Sequence, residues 1–180
     1  ENEIRVIEAL AAGKPKIAVD GTRIKLRHET LKSPQGKPLA MTVEWQVEQA
    51  DACDDVRWTI TVENNQPGAV INEVQYPLVG NIHLRPGQAL ITSRLGGRRY
   101  ADPRARVRSS HSSFRAPDQT GIHAGIMYPG QSATTNCFLF DAKEEGLYFG
   151  SHDPSFQSTL HYFLLSGEEL QAGFVKYPFF

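Results

Sequence analysis

A chain of 180 residues suits one domain with a sizeable buried core. Apolar residues make up 40% and charged residues 22%, and the formal net charge of -1 excludes a chain wholly devoted to nucleic acid, so any electrostatic partner has to meet a local patch. No apolar run approaches the roughly 20 residues of a membrane helix, and no signal peptide opens the chain; the start at Glu1 and the aromatic end Lys-Tyr-Pro-Phe-Phe point to a piece of a longer, soluble protein of unassigned location.

In chain order, residues 2–12 fit either a helix, with Ile4, Ile7 and Leu10 ended by Gly13 and Pro15, or a strand through Ile4, Val6 and Leu10. The strand is the expectation, because the chain that follows is β. Ile17 and Val19 lead through Asp20-Gly21 to Ile24 and Leu26, and Asp-Gly between alternating runs signals a two-residue hairpin. Val43, Trp45 and Val47, then Val56, Trp58, Ile60 and Val62, alternate with polar residues as a long hairpin with one buried face. Both tryptophans are in phase with the aliphatic residues and are expected in the core. Further strands are predicted at 70–78, 88–95, 122–128, 136–141, 146–150, 159–165 and 172–178. Leu160 to Leu165, apolar at nearly every position, reads as a central strand covered on both faces. The whole predicts an all-β, antiparallel β-sandwich as a single domain over residues 1–180.

Seven arginines, Arg94, Arg98, Arg99, Arg104, Arg106, Arg108 and Arg115, fall in residues 94–115 with Asp102 as the sole acid. In an extended chain Arg104, Arg106 and Arg108 share one face. Guanidinium forks so arranged suit phosphate, sulfate or carboxylate; equally, they suit a charged sheet edge or an interface to another domain. The six histidines show no metal-ligand spacing, so no metal is expected. Cys53 and Cys137 read as two thiols, with pairing left open because it depends on proximity in space. No nucleophile elbow, phosphate loop or other catalytic motif is present, and no cofactor or catalytic residue is assigned. Tyr128, before Pro129-Gly130, is a candidate surface aromatic. In GLYFGSHDPS (residues 146–155) His152-Asp153 follows an aromatic strand, where Pro154 favours an extended residue 153 and Asp153 can bond the turn backbone.

The segments RWTITVENNQPGAVINEVQYPLVGNI (57–82) and GIMYPGQSATTNCFLFDAKEEGLYFGSHDPS (125–155) together resemble the N-terminal β-sandwich of large, mostly bacterial glycoside-hydrolase-like proteins. The resemblance is carried by Trp58, Asn64, Tyr76-Pro77, Tyr128-Pro129-Gly130, Asp141, Gly146-Leu147-Tyr148 and His152-Asp153, over about residues 40 to 178. It implies a galactose-mutarotase-like supersandwich that precedes a catalytic (β/α)8 barrel, for which this chain has no room. The implied function is a non-catalytic domain that supports that downstream catalytic domain and borders its glycan cleft, with His152, Asp153 and Tyr128 as carbohydrate contacts. Neither nucleic acid nor membrane is an expected partner. The arginine segment departs from the family pattern. Two alternatives therefore stand beside this reading: an independent carbohydrate-binding module, and a polyanion or protein interaction domain using Arg104, Arg106, Arg108 and Arg115.

Overall fold

The computed structural model describes residues 7–50, 55–83, 87–94, 97–108, 122–128, 133–141, 145–152, 157–166 and 169–177. Every strand pair in it is antiparallel, and the all-β expectation is met. The chain divides into two compact units, Glu1–Ile71 and Asn72–Phe180.

In the first unit, β1 (Lys16–Asp20), β2 (Arg23–His28), β5 (Met41–Gln49) and β6 (Val56–Asn64) form a four-stranded sheet in the order β1-β2-β5-β6. Between β2 and β5 lies a ribbon of β3 (Leu31–Lys32) and β4 (Pro38–Leu39). Residues Ala9–Ala12 form a 3-10 helix, which corrects the strand expected over 2–12. Its Ala9 and Ala12 pack beside Leu31, Met41 and Val43, and the Ala-Leu-Ala-Ala sequence favours helical backbone over the β-branched chemistry of a strand.

Alternation gives this sheet two opposed faces. Register aligns Val19, Ile24, Val47 and Trp58 in one row and Ile17, Leu26, Trp45 and Ile60 in the next. The opposite face carries a cross-strand ladder of Arg23–Glu48 at 2.8 Å, Lys25–Glu44 at 3.6 Å and Arg27–Glu44 at 3.4 Å. The Arg23 hydrogen bond holds the Glu48 carboxyl below its ordinary range. Exposed pairs of this kind fix register more than they add stability. The 3-10 helix and the β3–β4 ribbon cover only one end of the apolar face. At the other end Trp58 is 48% exposed, which corrects its expected core placement; Trp45, packed on the covered cluster and beside His28 with ring centroids 5.3 Å apart, is half-buried. The first hairpin also turns one residue later than Asp20-Gly21. Asp20 pairs with Arg23, so Gly21 and Thr22 are the loop, with Gly21 at φ 55 as a turn of type II′ requires of its first central residue.

The second unit is a two-sheet sandwich. One sheet has the order β10 (Ile122–Tyr128), β13 (Thr159–Ser166), β14 (Glu169–Lys176), β7 (Val74–Ile82). The other has the order β12 (Gly146–Gly150), β11 (Ala133–Asp141), β8 (Ala89–Arg94), β9 (Arg98–Tyr100). Phe138 of β11 joins them. Its ring lies 4.8 Å from Phe163 and 5.6 Å from Phe174 on the facing sheet, and it stacks on Phe149 at 4.9 Å within its own. As expected, β13 is central and buried along its length from Thr159 to Leu165. Leu160 and Tyr162, on the face turned away from Phe138, pack with Val175 in a separate cluster.

Residues Pro103–Arg108 form a helix, α1, not an extended segment. Asp102 accepts a hydrogen bond from the backbone N–H of Ala105 at 2.9 Å, the N-cap arrangement, and Pro103 occupies the first helical position, where its missing N–H costs nothing. Val107, fully buried, anchors the helix to the sandwich core. A helical backbone advances about 100° per residue, so the common face that extended geometry would give Arg104, Arg106 and Arg108 does not exist. Cys137 carries a thiol and no disulfide.

Two outcomes follow from these placements. Asp102→Ala should cost about 1 kcal/mol in denaturant unfolding through the lost cap. His161, 0% exposed and 4.9 Å from the Phe174 ring, is pushed down to about 4, first by burial and then by Lys176. A histidine that binds its proton more readily unfolded than folded makes stability fall as pH drops from its unfolded value of about 6.5 towards 4. Urea unfolding across that window should show about 3 kcal/mol of loss that His161→Phe lacks.

Candidate functional site

The strand GLYFG is β12, an edge strand whose two faces serve different surroundings. Phe149 points inward onto Phe138. Tyr148 points outward, 52% exposed, and lies along the strand over Gly150, where any added Cβ would collide with the phenol. Its hydroxyl reaches His152 Nε2 at 3.4 Å, with ring centroids 6.3 Å apart. Residues 148, 150 and 152 share one side of an extended chain, and the missing side chain at Gly150 makes this contact possible.

A cleft of about 300 Å³ opens on the other side of β12, where this edge of one sheet approaches β7, the edge of the other. Ile82, Phe140 and Leu147 supply apolar lining; Asn81, His83, Gln88 and Glu145 supply amide, imidazole and carboxylate groups. A β-bulge in β7 shapes it. Leu170 pairs with Ile82 and Ala172 with Val79, so Gly80 and Asn81 together face a single residue of β14. Asn81 takes φ 57, a conformation that asparagine tolerates better than most residues. Its backbone N–H leaves the ladder and donates to Glu169 Oε1 at 2.7 Å. Its Oδ1 lies 2.6 Å from His83 Nε2, within hydrogen-bond distance. Gly80 fits beside Glu169 because an added Cβ would stand 3.1 Å from Oε1.

The described residues among those singled out from sequence do not converge on one point. His152 is exposed just beyond β12, beside Tyr148. Tyr128 lies on the other sheet, half-buried at the end of β10 opposite Thr159. Arg104 is half-buried in α1, where the backbones of Arg106 and Arg108 also lie. Asp153 and Arg115 lie outside the described residues. The cleft residues Asn81, His83, Gln88 and Glu145 were not anticipated. The available signal was Gly80-Asn81 inside an alternating run, since glycine within a strand marks a bulge and asparagine tolerates positive φ.

This arrangement offers donors and acceptors at fixed positions over an apolar wall. Such a surface has groups of the kind that could hold a small polar molecule with an apolar face. No family model matches the chain, and no curated protein or solved structure matches it.

Proposed function

We propose that this chain is a non-catalytic β-sandwich domain of a carbohydrate-active enzyme, which supports a separate downstream catalytic domain and contacts the glycan that domain acts on. The observation that carries the reading is the cleft at the β7 bulge. Sugar rings present hydroxyls at their edge and C–H groups on their face. Asn81, His83, Gln88 and Glu145 match the first need, and Ile82, Phe140 and Leu147 match the second. The ordered sequence resemblance over residues 57–82 and 125–155 supports the same class, and both segments contribute to the cleft, through Val79–Ile82 and through Phe140, Glu145, Gly146 and Leu147. Tyr148 with His152 extends the contact surface to the outer side of the same strand.

Exposure of Trp58 favours a second reading, an independent carbohydrate-binding module that uses the first unit. The neighbours of Trp58 in its row, Val47 and Ile24, offer no hydrogen bonds to hydroxyls, so the cleft is the better sugar site.

Titration calorimetry of the 180-residue chain with oligosaccharides of different backbones should find one class that binds. Asn81→Gly removes the carboxamide and retains a residue at ease with positive φ. It should weaken that binding about tenfold, the order expected for lost hydrogen bonds, without lowering the unfolding midpoint. Binding that survives Asn81→Gly and Gln88→Ala but vanishes in Trp58→Ala would move the site to the first unit. Turnover of aryl glycosides by the chain itself, abolished by Glu145→Gln, would overturn the non-catalytic reading.

A further inference from the structure

Among the described residues strand β1 is an edge of its sheet, and all five of its residues are exposed. The two-residue loop Gly21-Thr22 makes Asp20 and Arg23 a hydrogen-bonded pair. In an antiparallel ladder such pairs alternate with non-hydrogen-bonded ones, so Lys16, Ala18 and Asp20 direct their N–H and C=O groups to β2. The N–H and C=O groups of Ile17 and Val19 therefore face away from the sheet. Edge strands are usually guarded by proline, a bulge or an inward-pointing charge. Lys-Ile-Ala-Val-Asp has no proline, its pairing with β2 runs without a bulge, and its charges stand only at the two ends.

The sequence of β1 is complementary to itself. Laid antiparallel to a second copy about Ala18, it sets Lys16 opposite Asp20, Ile17 opposite Val19 and Ala18 opposite Ala18. This register also brings the outward groups of Ile17 and Val19 together as hydrogen-bonded pairs and leaves Ala18 at a non-hydrogen-bonded position, as the alternation demands. Ile17 and Val19, 64% and 69% exposed, lie on the apolar face, and opposed residues of paired strands share a face. Each copy would thus cover the other's most exposed apolar side chains with its own. A shift of one residue would abolish the charge pairing and oppose outward groups to inward ones.

We infer that β1 is a self-association edge, at which two copies of this chain join their sheets antiparallel about Ala18 in a two-fold dimer. The contact is one short strand from each copy, well below the size of a stable interface, so the dimer is weak and concentration-dependent.

Sedimentation equilibrium from about 10 µM to about 1 mM should show a reversible monomer–dimer equilibrium. Lys16→Asp sets like charges opposite each other twice per dimer and also removes the exposed Lys16–Glu29 pair, 3.2 Å within each copy; it should weaken association about tenfold, with the thermal midpoint of the monomer as the check on folding. The double variant Lys16→Asp with Asp20→Lys should restore it, because the exchanged charges again oppose one another. In a chain carrying Cys53→Ser and Cys137→Ser, Ala18→Cys should oxidise to a covalent dimer, since a non-hydrogen-bonded pair sets two Cα atoms about 4.5 Å apart, within disulfide reach. A chain that stays monomeric to about 1 mM would overturn the proposal and leave the edge to a strand of another protein. So would a dimer that Lys16→Asp leaves unchanged, or one that the charge exchange fails to restore.

Discussion

The second unit depends on one packing contact, the insertion of Phe138 between two sheets. Its ring meets Phe163, Phe174, Phe149 and Phe140, with centroids between 4.8 and 5.9 Å apart. Aromatic rings prefer offset or edge-on approaches, and such pairs add to the free energy of area burial alone. Because β11 bears Phe138 and pairs with β12, this contact also sets where β12 lies. The edge of β12 then forms one wall of the cleft and its outer side carries Tyr148. Shape at the candidate site is thus inherited from a core of a few side chains.

The first unit follows a different logic. Its sheet keeps an arginine–glutamate ladder on one face and Val, Ile, Leu and Trp side chains on the other. A slip of one residue between β2 and β5 would exchange these faces, moving charge into apolar surroundings. The ladder therefore selects register, while the apolar face is only partly covered and leaves Ile17, Val19, Ile24 and Trp58 exposed.

Much of this was legible from period-two alternation. The hairpin of β5 and β6 follows directly from it, because alternation reports burial on one side of a strand; the central burial of β13 follows instead from the unbroken apolar run Leu160 to Leu165, and the bounds of β10 and β12 from the turn residues that flank them. Three features were not so visible. Trp58 obeys the alternation, but alternation identifies the apolar face without telling how far that face is covered. Arg104, Arg106 and Arg108 alternate as a strand would, while Asp102-Pro103 ahead of them is a helix-start signal that the burial of Val107 reinforces. The cleft arises from a bulge, and a bulge is a mismatch between strands distant in sequence, only hinted at by Gly80-Asn81. His152 could be placed at a strand end from sequence, but its contact with Tyr148 depends on the space above Gly150.

The anchoring of α1 through Val107 has a consequence for the arginine segment. Arg98 and Arg99 sit on a short strand paired with β8, where Arg99 lies 3.8 Å from Asp141, and Arg104 sits on a helix held by Val107 in the core. Added salt shortens the reach of their field to about 8 Å at physiological strength. It has no comparable hold on the burial of Val107, which salts that strengthen apolar association would tighten. Ionic strength can therefore screen these charges while the helix that carries Arg104 stays anchored.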